Sequence, residues 1–128
     1  MDSSSYQAIR KPYMPLVLWA TLIFAASSIP GTSLPQSVLW SFDKVIHAVI
    51  FFVLGFLSFR AFTFRGQTRG WKSGRILLVS ILFCLVYAAS DETHQYFVPM
   101  RSSDIYDFLA DSAGIILAHG LFLKVRLL

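Results

Sequence analysis

The stretch VIHAVIFFVLGFLSFRAFTF, from Val45 to Phe64, decides the fold. It runs for 20 residues, and only His47 and Arg60 in it are ionisable. A bilayer core about 30 Å thick takes roughly 20 helical residues. The apolar residues show no period of two, so neither a half-buried strand nor a barrel segment fits. Upstream, Pro30-Gly31-Thr32-Ser33-Leu34-Pro35 breaks the chain, and the apolar run Pro12–Ile29 precedes it. Downstream, Arg65-Gly66-Gln67-Thr68-Arg69-Gly70 reads as a polar loop, extended by Lys72 and Arg75. A third run, Ile76–Ser90, continues as helix through Asp91–Phe97. Pro99–Ser103 forms a turn, and Ser103 is placed to cap a fourth run, Ile105–Leu123.

The predicted architecture is all-α: one domain, an integral membrane four-helix bundle with helices over about 12–29, 44–64, 75–97 and 104–124. The first is the shortest, and the third reaches membrane length only with its polar end included. A rival reading takes Arg10-Lys11, the apolar stretch and Ala25-Ala26-Ser27-Ser28 as a signal peptide. It is the weaker one, because the apolar stretch is long for such a segment. Composition agrees with a membrane chain. Charged residues make up 14% of the 128, against about 25% in soluble domains. Phe occurs 12 times, more apolar surface than so short a soluble chain can hide. The lone Cys84 allows no internal disulfide and reads as a small packing residue.

Charge sets the topology. Arg10, Lys11, Arg60, Arg65, Arg69, Lys72, Arg75, Lys124 and Arg126 fall on one side of such a bundle, and only Lys44 and Arg101 on the other. The positive-inside rule then places both termini in the cytoplasm of a multi-pass inner-membrane protein. The net charge of +4 is accounted for by topology and implies no nucleic-acid partner, since no basic–aromatic interleaving lies on a polar face. The acids segregate the opposite way. Asp43, Asp91, Glu92, Asp104, Asp107 and Asp111 are at the outer end, and only Asp2 is inside.

These acids recur at helical spacing. Asp43 and His47 are i and i+4, as are Asp91 and Gln95, with Glu92 beside them. Asp104, Asp107 and Asp111 form one stripe, and Arg101 stands in the turn before it. With Ser103 as cap, Asp111 lies about 12 Å into its helix. A charged Asp near the middle of a membrane helix costs on the order of 3 kcal/mol, so such residues face a protein interior or a wet cavity. A polar pocket between the second, third and fourth helices is expected. Six carboxylates with one His and one Arg do not all stay ionised unaided: some are protonated, or a divalent cation (Mg, Mn or Zn) joins them.

The expected roles are these. His47, Asp91, Glu92 and Asp107 act as acid–base groups or metal ligands. Asp43 orients His47, Arg101 grips a phosphate or carboxylate, and Gln95, Asp104 and Asp111 complete the binding surface. The bland alternative is that Asp104 and Asp107 only favour a helix N-terminus and that Asp43-Lys44 only starts a helix. His94 reads as an interfacial polar residue, His119 as a packing or hydrogen-bonding one, and Gly114 with Ala118 as a helix-packing pair.

Asp43-Lys44-Val45-Ile46-His47, continuing to Gly55, resembles the Asp-Lys-x-x-His signature of the VanZ-like membrane proteins. Ser90-Asp91-Glu92-Thr93-His94-Gln95, Arg101-Ser102-Ser103 and Asp104-x-x-Asp107 are similar to further motifs of that family, as are Ile23-Phe24, Ser27-Ser28 and Pro30-Gly31. The resemblance runs from about Trp19 to Ala118. It implies a membrane architecture and a role in glycopeptide (teicoplanin) susceptibility or envelope maintenance. It implies no defined reaction. One departure is Asp111, where the family often carries Asn. From the pocket itself, the expected partners are membrane lipids and a lipid headgroup or lipid-linked cell-wall precursor, bound and hydrolysed or transferred at the outer leaflet. A transport or binding module using the carboxylates as a proton or cation relay, and a purely structural bundle, stay open beside an enzyme.

Overall fold

The computed structural model describes residues 3–33 and 42–127. Asp2 and the Leu34-Pro35 half of the expected break lie outside the described residues. The described residues form four α-helices: α1 Ser3–Ser27, α2 Asp43–Arg69, α3 Ser73–Tyr96 and α4 Ile105–Leu127. A short 3₁₀ turn, Gly31–Ser33, follows α1. There is no strand among the described residues.

The helices alternate in direction. The end of α1, the start of α2, the end of α3 and the start of α4 meet at one end, joined by Ser27–Asp91 and His47–Asp111 contacts. At the other end Tyr13 of α1 packs edge-on against Phe64 of α2. Phe122 of α4 packs against Phe56 and Phe59. Between the ends lies a core of Phe51, Leu54, Ala61, Cys84, Ala88 and Ile115, with Leu16 and Ile23 of α1 against it.

Three points bear on the expected helices. First, among the described residues α2, α3 and the Ile105–Val125 part of α4 are long and apolar enough to cross a membrane by length and composition; α1, the weakest span in the sequence as well, is not one of those. Although α1 has 25 residues, its continuous apolar part begins only after Arg10, Lys11, Pro12 and Tyr13. Second, Arg65–Arg69 is not a loop but the last turns of α2, which ends where Gly70 takes the left-handed conformation (φ 65°). The Trp71 N–H then donates back to Gly66 O at 2.8 Å, the bond that closes a Schellman end. Gly66 fits there because its missing side chain leaves room for Ile76. Third, Ser103 does not cap α4. Asp104 does: its Oδ1 accepts the Tyr106 N–H at 3.0 Å. Asp111 is therefore about 10 Å along the helix.

Two close approaches hold the bundle in register. A Cβ at Gly114 would lie 2.1 Å from Ala48 O, and one at Gly55 would lie 3.0 Å from the Ala118 Cβ. The Gly114–Ala118 pair is thus the seam between α2 and α4. At the polar end, Gly31 N–H donates to Pro99 O at 3.1 Å. A Cβ on Gly31 would meet Met100 O at 1.8 Å, so only glycine lets the chain leaving α1 rest on the turn between α3 and α4.

A buried polar chain ties the other half together. His119 Nδ1–H donates to Ile115 O at 2.7 Å, which leaves Nε2 to accept from the Ser80 hydroxyl at 2.8 Å. Ser80 Oγ in turn accepts from Ser58 at 2.7 Å. All three are buried, each helix of α2, α3 and α4 supplies one, and His119 is the hydrogen-bonding residue its sequence position suggested.

Candidate functional site: an acid–histidine cluster

Every acidic residue expected at the outer end is found at the polar end of the bundle, in three subclusters. The first centres on Lys44, one residue into α2. Its ammonium sits 3.4 Å from Asp43 Oδ2 and 3.3 Å from Asp104 Oδ2, and it also pairs with Asp107 Oδ1. Asp107 is buried, and Lys44 itself remains half exposed. Sequence reading left Lys44 out of the site. The signal was there, in its place beside Asp43 in the Asp-Lys-x-x-His motif, but only the fold shows that three carboxylates from two helices converge on it.

The second subcluster surrounds His47. Its Nδ1–H donates to Asp111 Oδ1 at 2.8 Å. Glu92 Oε1 stands 3.9 Å from the same nitrogen. Asp43 Oδ1 lies 3.7 Å from Nε2, too far for a hydrogen bond. The expected Asp43–His47 pair stands at ion-pair distance, and Asp111 comes nearer still: the close α2–α4 seam, three residues along at Gly114, brings it within hydrogen-bond reach of the imidazole. Asp111 is fully buried, and Glu92, facing the same nitrogen, is buried too. Glu92 Oε2 accepts from the Ser103 hydroxyl at 3.4 Å and the Asp104 N–H at 3.3 Å. Glu92 Oε1 and Asp111 Oδ2 are buried with no hydrogen-bond partner.

The third subcluster faces α1. Asp91 accepts from the Ser27 hydroxyl at 2.5 Å and from Gln95 Nε2 at 3.1 Å. Asp91 is thus turned away from His47, and its neighbour Glu92 is turned toward it, because adjacent residues on a helix point about 100° apart. Ser27 is visible in the sequence at the polar end of an apolar run and in the Ser27-Ser28 motif, but nothing there assigns it to the acid cluster. Outside the clusters, His94 stacks on Phe24 with ring centroids 4.6 Å apart, and its Nε2 is 2.9 Å from Ser28 Oγ. Of the two basic residues at this end, Lys44 is engaged three times, and Arg101 forms no ion pair with the described residues.

Asp104 lies outside the membrane-length helices. The Tyr106 N–H, and then Lys44, hold its carboxyl below the usual carboxylate range. A lowered folded value means a contribution present above about pH 4 and lost as pH falls through that lower value. The melting temperature should therefore drop on acidification below about pH 4. Asp104→Asn, which keeps an oxygen for Tyr106 but cannot be protonated, should show a smaller drop in thermal scans. Equal acid limbs in the two proteins would contradict this.

Chemically, the cluster offers one imidazole between two carboxylates, a lysine held among three more, and one unengaged guanidinium at the rim. A family model described as VanZ/LLP1 matches residues 13–127. No curated protein and no solved structure matches the chain.

Proposed function

The chain belongs to the VanZ/LLP1 family, and from that premise we propose that it is a multi-pass inner-membrane protein whose outward acid–histidine site binds the headgroup of an envelope lipid or a lipid-linked cell-wall precursor. One observation carries the reading. Ionisable side chains of α2, α3 and α4 are gathered and buried at one end of a bundle otherwise sheathed in exposed apolar side chains, such as Val17, Leu18, Leu22, Val49, Leu82, Val86, Ile116 and Leu117. A sheath of that kind suits lipid, and polar groups inside it have little reason to cluster unless they serve a site. The exposed apolar face of α1 supports it as a fourth span, with a shorter apolar part. The basic residues Arg65, Lys72, Arg75 and Lys124, all exposed at the opposite end, support a cytoplasmic placement of that end and both termini.

Arg101 supplies the grip on a phosphate, being the cation at the site that no described acid occupies. His47, flanked by Asp111 and Glu92, would handle protons at the bound group, and hydrolysis or transfer there is the reaction this arrangement favours. A role in teicoplanin susceptibility or envelope maintenance would follow from altering such a precursor.

A relay through the membrane is less well supported. Buried Phe51, Leu54, Ala88 and Ile115 occupy the helix turns between the acid cluster and the Ser58–Ser80–His119 chain, so no continuous polar path joins them.

The test is binding of a short-chain prenyl pyrophosphate to protein in nanodiscs. Arg101→Gln should weaken binding about tenfold or more, consistent with loss of a charge-assisted contact. Proton or cation flux in liposomes should be absent. Unchanged affinity in the variant, or flux that His47→Ala abolishes, would overturn the reading.

A further inference from the structure

Counting partners separates the acids into those that are neutralised and those that are not. Asp43, Asp104 and Asp107 share Lys44. Asp91 is satisfied by Ser27 and Gln95. Glu92 and Asp111 remain, more than nine-tenths buried, each with one oxygen that no donor reaches. They flank the same imidazole: Nδ1 of His47 is 2.8 Å from Asp111 Oδ1 and 3.9 Å from Glu92 Oε1. One ligand atom from each of His47, Glu92 and Asp111 lies within 4.8 Å of the other two. Ligands about 2.1 Å from a common ion stand at most about 4.2 Å apart, so small side-chain shifts would close them on one centre.

We propose that His47, Glu92 and Asp111 form a binding site for one divalent transition-metal ion of the zinc or manganese type. The charges match: two carboxylates balance a doubly positive ion. The donors match too. An imidazole disfavours magnesium and calcium, which prefer oxygen alone, and two carboxylates disfavour copper(I), which prefers sulfur. Three protein ligands leave positions open for water or substrate, as in metal sites that do chemistry. The imidazole is placed for the role. Nδ1 faces the two carboxylates and would release the proton it donates to Asp111 when it binds the ion. Asp43 Oδ1 lies 3.7 Å from Nε2, so a small shift would let that carboxylate accept the Nε2 proton and steady a metal-bound histidine.

A second grouping, Asp43, His47 and Asp107, also has ligand-like spacing. Its carboxylates are already paired with Lys44, which would compete with a cation there.

Metal binding needs no headgroup, so its test is separate from the one above. It also removes an electrostatic obstacle to that reading, since an ion with open positions would let an acidic site accept a phosphate.

The experiment uses the full chain in a neutral maltoside detergent, stripped with EDTA and titrated with Zn²⁺, Mn²⁺ and Mg²⁺ by calorimetry, with elemental analysis of the loaded protein. One zinc or manganese ion per chain is expected, with Mg²⁺ bound more weakly. Glu92→Gln and Asp111→Asn should each lower affinity at least about tenfold, and His94→Ala should leave it unchanged. X-ray absorption on the loaded wild-type protein should show a single imidazole among oxygen ligands, which decides the matter even if a variant fails to fold. Substoichiometric metal, unchanged affinity in both carboxylate variants, or a spectrum without imidazole would each overturn the proposal.

Discussion

Gly114→Leu should separate α2 from α4 and empty the site in one step. A Cβ at this position would lie 2.1 Å from Ala48 O, 2.9 Å from Ala48 C and 2.9 Å from Phe52 N. These are backbone atoms, so no rotamer change relieves the clash and the helices must move apart. Overpacking usually costs about 1–3 kcal/mol, and a backbone collision belongs at the upper end, near 3 kcal/mol. The movement propagates to function because Asp111 sits one turn before Gly114 on α4, and His47 is next to Ala48 on α2. Their 2.8 Å hydrogen bond exists only at the present helix spacing. The variant should melt about 10 °C lower in detergent, using roughly 3–4 °C per kcal/mol for a chain of this size. The imidazole resonances of His47 should shift as its hydrogen bond is lost. A variant with unchanged melting and an unperturbed His47 spectrum would show that the seam is not where the structure puts it.

Lys44→Met is the second large effect, and it acts through charge rather than volume. Methionine keeps much of the side-chain stem and removes the ammonium on which Asp43, Asp104 and Asp107 converge. Breaking a fully buried pair costs about 3–5 kcal/mol. Lys44 is 47% exposed, so water replaces part of the lost interaction and about 1–2 kcal/mol is the appropriate expectation. The loss concentrates on Asp107, whose side chain is only 5% exposed and pairs with no other cation among the described residues. Adding Asp107→Asn to the lysine variant should therefore recover most of the stability, because it removes the stranded charge. The double-mutant cycle, read by thermal unfolding, checks this directly. Additive losses would mean that Lys44 and Asp107 act independently and the convergence on Lys44 carries no energy.

Both effects depend on contacts between helices, and this is where sequence reading reached its limit. The i,i+4 spacing of Asp43 and His47 correctly put them on one face of α2. It could not show that an acid on α4 would come closer to the imidazole, because that depends on how near the α4 backbone approaches. The glycine that permits the approach was visible, and it was read as a packing residue without its consequence for Asp111. The pairing of Ser27 with Asp91 was illegible for a similar reason. The two are 64 positions apart, and nothing local to either marks the other. The helix ends show the opposite case. Gly70 and the acids around the start of α4 were visible, but which of Ser103 and Asp104 caps the helix depends on a backbone geometry that neighbouring residues decide together.

The sequence by itself determined the all-helical class, the apolar character of α2, α3 and α4, and the concentration of acids at one end. Those properties follow from composition and from a period of 3.6 residues, and each is complete within a single segment. Tertiary structure alone decided how the acids divide: three given to Lys44, one to Ser27 and Gln95, and two left facing His47 with unpartnered oxygens. Hydrogen bonds and ion pairs are made over a few ångströms, so the partner of a buried carboxylate is set by helix spacing and rotation, which no single helix encodes.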